Sequence, residues 1–117
     1  VEPDNRIVSK TIETIEHKLW VKETGGLARY EGDRYCGYMN PWIICTLWLA
    51  EAKIYKGDIE AARALIEWAA ERATKTNLLP EQTDRVSNSP ISVVPLIWSH
   101  AAFVWTVNRY IETKSSR

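Results

Sequence analysis

The sequence contains little cysteine, histidine or methionine, which restricts the chemistry that it can support. Its 117 residues include 2 cysteines, 2 histidines and 1 methionine. Cys45 lies within the apolar run PWIICTLWLA, where a small buried thiol is the ordinary role, so we do not expect a disulfide with Cys36. Neither His17 nor His100 stands near a cysteine at the spacing of zinc ligands. The sequence therefore implies no metal site and no cofactor.

An excess of charge of either sign is also lacking. The chain has 15 Lys and Arg residues against 15 Asp and Glu residues, so no basic field attracts nucleic acid or an anionic membrane. No apolar run reaches the roughly 18 residues of a membrane-spanning helix, and the opening VEPDNR is too polar for a signal peptide. We therefore expect a soluble, cytoplasmic protein that binds neither nucleic acid nor membrane.

Large aromatic side chains, in contrast, are abundant. The chain carries 6 Trp and 5 Tyr residues, more than a domain of this size needs for packing alone, so we expect some of these rings to face a ligand. The length allows a single domain over residues 1–117. Because the chain starts with Val1 and not with Met, we expect it to be a piece of a longer polypeptide.

Hydrophobic periodicity predicts four helices, near residues 5–22, 40–56, 58–76 and 94–113, and hence an all-α fold. The first helix, which follows Pro3 and Asp4, and the third have one apolar stripe, which is typical of surface helices. The second and fourth are apolar almost all round, which is typical of internal helices. Gly57 and the N-cap candidate Asp58 predict a tight turn between the second and third helices. Pro95 is expected in the first turn of the fourth.

The connections between these helices are unequal in length. About 17 residues link the first helix to the second, and about 17 link the third to the fourth, whereas the middle turn is almost immediate. Successive connections in an antiparallel bundle alternate between its ends, so both long loops should lie at one end, where the two internal helices start. Loops of this length are uncommon unless they are functional, so we expect a site there.

The two long loops carry side chains that are suited to carbohydrate binding. The first, GGLARYEGDRYCGYMNPW, offers Arg and Asp groups that can bind vicinal hydroxyls and rings that can cover the apolar face of a sugar. The second, LLPEQTDR, places Glu81 and Asp84 near the start of the fourth helix, with Gln82 beside Glu81. Composition alone leaves two interpretations open, a carbohydrate site and an ordinary solvated loop.

The order and spacing of four segments are more specific. GGLARYEGDRY, NPWIICTLWLAE, LLPEQ and PLIWSHAAFVW, over about residues 25–107, together resemble the C-terminal part of glycoside hydrolase family 15, the glucoamylase-type enzymes that include some trehalases. The resemblance implies a toroid of six helical hairpins with the active site in a funnel at one end. Residues 1–117 would then form a single all-α piece, a sector of about two hairpins in the C-terminal part of that catalytic domain.

The resemblance also implies roles for particular residues. The glutamate of the PEQ motif falls on Glu81, which would be the catalytic general base. The positions that bind substrate fall on Arg29, Tyr30, Asp33, Tyr35, Trp42, Gln82 and Trp98. The chain departs from the family pattern at Ala28, Met39 and Ile97, which affects the expected fit around the sugar. Trp42 and Trp98 have an alternative role as core residues at the starts of their helices.

The mechanism that the resemblance implies is hydrolysis with inversion at an anomeric carbon, in which a carboxylate deprotonates water while a carboxylic acid protonates the leaving oxygen. In the family that acid lies upstream, and no segment before Glu23 resembles it. The chain would therefore supply the base without the acid to an enzyme that hydrolyses α-linked glucosides or trehalose, and would be inactive alone. We expect it to assemble with the missing N-terminal portion or with a second copy.

Two other classes of function stay open at this point. A non-catalytic carbohydrate-binding or assembly module would keep the sugar contacts without hydrolysis. A helical-repeat scaffold for protein partners would have neither property, although the two hairpins share no repeat motif.

Overall fold

The computed structural model describes residue 2 and residues 5–116, so Pro3 and Asp4, expected before the first helix, lie outside the described residues. These residues form four helices and four very short strands, and the strands lie in two pairs, one between the first and second helices and one between the third and fourth. In chain order they are α1 Arg6–Leu19, β1 Leu27–Ala28, β2 Pro41–Trp42, α2 Ile43–Tyr55, α3 Ile59–Glu71, β3 Gln82–Thr83, β4 Pro90–Ile91 and α4 Ile97–Ser115.

The four predicted helices are confirmed, but the first and third end earlier than the sequence indicated. α1 stops at Leu19 and not at residue 22, because Trp20 turns to an extended backbone and forms a β-bridge with Leu27. α3 stops at Glu71 and not at residue 76. The residues that follow close a turn instead, in which the amide of Thr74 donates to the carbonyl of Leu78 at 2.8 Å. In both places a local hydrogen bond replaces the next turn of helix.

The start of α4 also differs from the prediction. Pro95 does not lie in its first turn, since the helix begins at Ile97. The preceding residues 92–95 form bends that are tied to the LLPEQ segment. The Leu96 amide donates to the carbonyl of Leu79 at 3.0 Å, and the Glu81 amide donates to the carbonyl of Val93 at 2.9 Å. Pairing with a distant segment therefore outweighs the local preference of proline for a helix start.

A small antiparallel sheet corrects the all-α prediction. Its order is β1-β2-β3-β4, with Leu27 opposite Trp42, Trp42 opposite Gln82, and Gln82 opposite Ile91. The strands are two residues long, too short for any alternation of apolar and polar residues to be read from sequence. The β2–β3 pairing joins the two long loops at one end of the helices, directly before α2.

The core lies around α2, which buries many of its apolar side chains, although Trp48 and Tyr55 are exposed and the predicted internal position holds only in part. One cluster combines Ile43 and Leu47 of α2 with Trp68 and Ala69 of α3. Further along, α2 and α3 bury another set of apolar side chains, Leu49, Ala50 and Ile54 from the former and Ile59, Ala62 and Leu65 from the latter. The tight turn between the two helices is confirmed: Gly57 has a φ of 82°, and the Asp58 side chain accepts from the Ala61 amide at 3.2 Å.

The prediction that the fourth helix is internal does not hold among the described residues. Only Ser99 and Thr106 of α4 are buried, and α1 buries none of its residues completely. Large apolar side chains of α4 are exposed and recur about every seven residues on one side, namely Ile97, Trp98, Val104, Trp105 and Ile111. In the described part of the chain, no helix combines the length and apolar character needed to cross a membrane.

Candidate functional site

The sheet and the N-terminus of α2 border an open depression of about 630 Å³. Five of the eight residues that the sequence analysis selected line it, together with three that it did not. The lining residues are Arg29, Tyr35, Trp42, Ile44, Cys45, Trp48, Glu81 and Trp98. The structure thus brings both long loops and two helix starts to one concave surface.

Arg29 is held beside this depression by Asp33. The guanidinium Nε and Nη2 donate to the two carboxylate oxygens at 3.0 and 3.1 Å, and the Tyr35 amide donates to Oδ1 at 2.9 Å. Burial of Asp33 acts to raise its pKa, but the hydrogen bonds from Arg29 and Tyr35 outweigh it, so the pKa lies below the ordinary value. The same pairing raises the pKa of Arg29. The arrangement keeps a permanent cation at the site.

Three aromatic rings surround the Arg29 guanidinium. Its central carbon lies 4.3 Å from the ring centre of Trp42, 5.0 Å from that of Tyr30 and 5.5 Å from that of Tyr35. Trp42 is 5% exposed, so it has the core role that the sequence left open. Its ring also lines the depression, next to the Arg29 guanidinium. Trp98, in contrast, is 63% exposed and fills no core in the described part of the chain.

Glu81 is fixed by its backbone on both sides. Its amide donates to the carbonyl of Val93 at 2.9 Å, and its carbonyl accepts from the amide of Ile43 at 3.1 Å. Its half-buried side chain faces the depression, where Oε1 accepts from Ser92 Oγ at 2.7 Å and from Gln82 Nε2 at 3.1 Å. The carboxylate is therefore held by donors from its neighbour and from the residue after β4.

Two of the three remaining predicted residues lie behind the surface, whereas Tyr30 is 52% exposed. Asp33 and Gln82 are 2% and 0% exposed and act through Arg29 and Glu81. Tyr30 contacts Arg29 but does not line the depression.

Several participants were not identified from the sequence. Ser92 and Asn40 reach the site through turns with positive φ at Ser92 and Met39, which no periodicity indicates. Cys45 and Trp48 lie in the first and second turns of α2. Helical spacing from Trp42 provides the signal that would have found them. Within residue 2 and residues 5–116, no group of three or more His, Cys, Asp or Glu side chains is assembled to hold a metal ion.

The chain is similar to glycosidases in sequence and in structure, although no protein-family model matches it. A protein of Methanocaldococcus jannaschii described as an uncharacterized glycosyl hydrolase is 35% identical over 117 aligned positions, which cover 89% of this chain and 18% of that protein. A wild-type glycosidase structure matches with a TM-score of 0.84 and 25% identity over 94% of this chain and 32% of its own.

A second solved structure, an alanine variant of a glycosidase in complex with glucose, matches equally well in fold. Its TM-score is 0.84 at 24% identity, with the same shares of both chains covered. The chain therefore spans less than a third of the length of each of these proteins. Similarity to a glycosyl hydrolase in sequence and to glycosidases in fold makes this chain glycosidase-like.

Proposed function

We propose that this chain forms the general-base side of the active site in an inverting α-glucoside hydrolase of the glucoamylase type, with Glu81 as the base. The observation that carries the proposal is the position of Glu81. It faces the same depression as Arg29, Tyr35 and Trp42, and the donors Gln82 and Ser92 both act on Oε1. Oε2 is then the oxygen available to take a proton from water.

The proposed chemistry requires a second carboxyl group. In inverting hydrolysis an acid protonates the leaving oxygen while the base activates water on the opposite side of the sugar ring, with the two carboxyl groups about 6.5–9.5 Å apart. Among the described residues that line the depression, Glu81 is the one carboxylate. The acid therefore has to come from outside this chain. That requirement agrees with the small share of its glycosidase relatives that the chain spans.

The proposed sugar-binding surface is the Arg29 cluster, which consists of Arg29 and the rings of Tyr30, Tyr35 and Trp42. Arg29 is about one-third exposed, and its free N–H groups suit vicinal hydroxyls, while Tyr35 and Trp98 offer ring faces to the apolar side of a pyranose. Asp33 is buried with both oxygens engaged, so we assign it the role of holding Arg29 and not of contacting the sugar. The proposed substrates are α-linked glucosides, with trehalose as the alternative.

We extend the proposal to the architecture. In a toroid of helical hairpins, α2 and α4 would be inner helices and α1 and α3 outer ones. The exposed apolar stripe of α4 and the exposed Trp48 and Tyr55 of α2 would then contact neighbouring hairpins or a second copy of the chain.

The test is the Glu81→Gln variant of the full-length protein that carries this chain. We expect kcat on an α-glucoside to fall by at least about a thousandfold while the substrate still binds, because the amide cannot accept the proton. Asp84→Asn is the matched control, since Asp84 lies three residues away but caps its own turn through the amides of Val86 and Ser87. Near-normal turnover in Glu81→Gln would remove the assignment.

A non-catalytic sugar-binding module is the second candidate. It is favoured by the fact that residues 29–42 build the whole Arg29 cluster within this chain. In that case the isolated chain binds saccharides and releases no glucose, and Arg29→Ala weakens the binding, measured by calorimetry.

A further inference from the structure

Asn40 is a buried amide at the junction of the two long loops. It is 3% exposed and makes three hydrogen bonds. Nδ2 donates to the carbonyl of Cys36 at 3.1 Å and to Oε1 of Gln82 at 3.1 Å, while Oδ1 accepts from the backbone amide of Arg85 at 3.2 Å. Both N–H groups and the oxygen of the side-chain amide are therefore engaged, and two of the three partners, Gln82 and Arg85, belong to the second loop.

Two of these partners are backbone groups, and they decide which way the Asn40 amide points. A backbone carbonyl can only accept and a backbone N–H can only donate, so Nδ2 has to face Cys36 and Oδ1 has to face Arg85. The second N–H of Nδ2 then points at Gln82. Because that group is a donor, the Gln82 side chain has to turn its oxygen toward Asn40.

The orientation of Gln82 in turn decides what Glu81 meets. With Oε1 of Gln82 on Asn40, its Nε2 faces the carboxylate and donates to Oε1 of Glu81 at 3.1 Å. Gln82 is fully buried, so bulk solvent does not reach its amide to compensate for the opposite orientation. A reversed amide would place its oxygen against the carboxylate oxygen, which is repulsive.

We propose that Asn40 is a positioning residue for the base. The Cys36 carbonyl and the Arg85 amide orient the Asn40 amide, which in turn orients Gln82. Glu81 therefore receives a donor on Oε1 and keeps Oε2 for water. The inference rests on the proposed role of Glu81. It adds a residue that touches neither the depression nor Glu81 itself.

The Asn40→Asp variant of the full-length protein tests this role. It preserves the shape and the oxygen that faces the Arg85 amide, but it replaces the Nδ2 donor with an acceptor. Gln82 then turns its Nε2 away from Glu81. We expect kcat to fall at least about tenfold with little change in KM, because Oε1 of the base loses the donor that holds it while the sugar-binding residues are unchanged.

The variant also adds a negative charge, so Asn40→Ala, which adds none, is measured in parallel. Its kcat is expected to fall as well, again with little change in KM. Glu23→Gln is the matched control for the contact between the two loops, since Glu23 accepts from Arg85 Nη2 at 3.0 Å across the same two loops without contacting Gln82. Its kcat and KM are expected to match the wild type. The other titratable groups that line the depression, Arg29, Tyr35 and Cys45, are unchanged in all three variants.

The outcomes separate this inference from the function on which it rests. Full activity in Glu81→Gln removes the proposed function. A strong loss in Glu81→Gln, combined with wild-type kcat and KM in Asn40→Asp and Asn40→Ala, overturns the role of Asn40 alone. If neither Asn40 variant folds, neutron diffraction from the deuterated wild-type protein decides. Deuterium on the Gln82 atom that faces Glu81 supports the proposal, and deuterium on the atom that faces Asn40 contradicts it.

Discussion

Arg29 and Asp33 form a two-point ion pair within a loop, with the carboxylate almost completely buried and the guanidinium 37% exposed. The exposed cation is therefore oriented by an anion that solvent does not reach. This relationship explains how an irregular segment can present an arginine in one direction, since the pair replaces the support that a helix or strand would provide.

We expect Asp33→Asn to lower the free energy of unfolding by about 1–3 kcal/mol, because a charge-assisted hydrogen bond is lost while the remaining arginine is still partly solvated. The pKa of Asp33 is lowered in the fold, so its contribution is present above the ordinary value of 3.8 and is lost as pH falls through the lower folded value. The stability difference between wild type and variant should therefore shrink in acid. Urea unfolding of both proteins at a series of pH values measures this stability difference. A difference that is constant with pH would contradict the lowered pKa of Asp33.

Gly26 and Gly32 provide a matched pair for testing the packing beneath the sheet. Both have positive φ, 83° and 78°, so an alanine has a similar backbone cost at each. A methyl group on Gly26 would lie 2.7 Å from Cη2 of Trp68 and 2.9 Å from Cβ of Pro41, whereas one on Gly32 would meet nothing within 4 Å.

The tryptophan ring cannot easily move away, because its Nε1 donates to the carbonyl of Thr24. Gly26→Ala should therefore cost about 1–3 kcal/mol more than Gly32→Ala in urea unfolding. Equal costs would mean that the Trp68 ring adapts.

Cys45 should react slowly with alkylating reagents in the native state. Burial raises the pKa of its thiol from 9.0 to about 11, so the reactive thiolate is about a hundredfold rarer than in the unfolded chain. The raised value also means that its stabilising contribution is complete below pH 9.0 and is lost as pH rises toward about 11.

Iodoacetamide labelling of a Cys36→Ser variant, native and urea-unfolded, measures this ratio without interference from the exposed Cys36. Similar rates in both states would show that the thiol is accessible.

The exposed apolar side of α4 should make the isolated chain self-associate. Ile97 is 75% exposed and begins the α4 stripe, whereas Ile7 is 77% exposed at the start of α1 and lies apart from that stripe. Light scattering over a dilution series should show that Ile97→Glu reduces association and that Ile7→Glu changes it little, because only the former interrupts a continuous apolar surface. A monomer at all concentrations in the unmodified chain would contradict this expectation.

The features that the sequence predicted well are those that repeat along it. Helical periodicity identified all four helices, and Gly57 with Asp58 identified the turn between α2 and α3, since these signals depend on residues within one or two turns. The order and spacing of the loop segments were enough to select Glu81 and Arg29, which the structure brings to one depression.

Only the tertiary structure decided the sheet, the start of α4 and the support of Glu81. Each depends on groups that meet across 7 to 45 residues, such as the Leu96 amide on the Leu79 carbonyl or the Arg85 amide on the Asn40 side chain, and such pairings leave no periodic pattern in the chain. The sequence by itself determined where the four helices lie and which residues are proposed for the chemistry. Folding decided which oxygen of Glu81 accepts the hydrogen bonds of Gln82 and Ser92, because that choice depends on the direction of hydrogen bonds between distant loops.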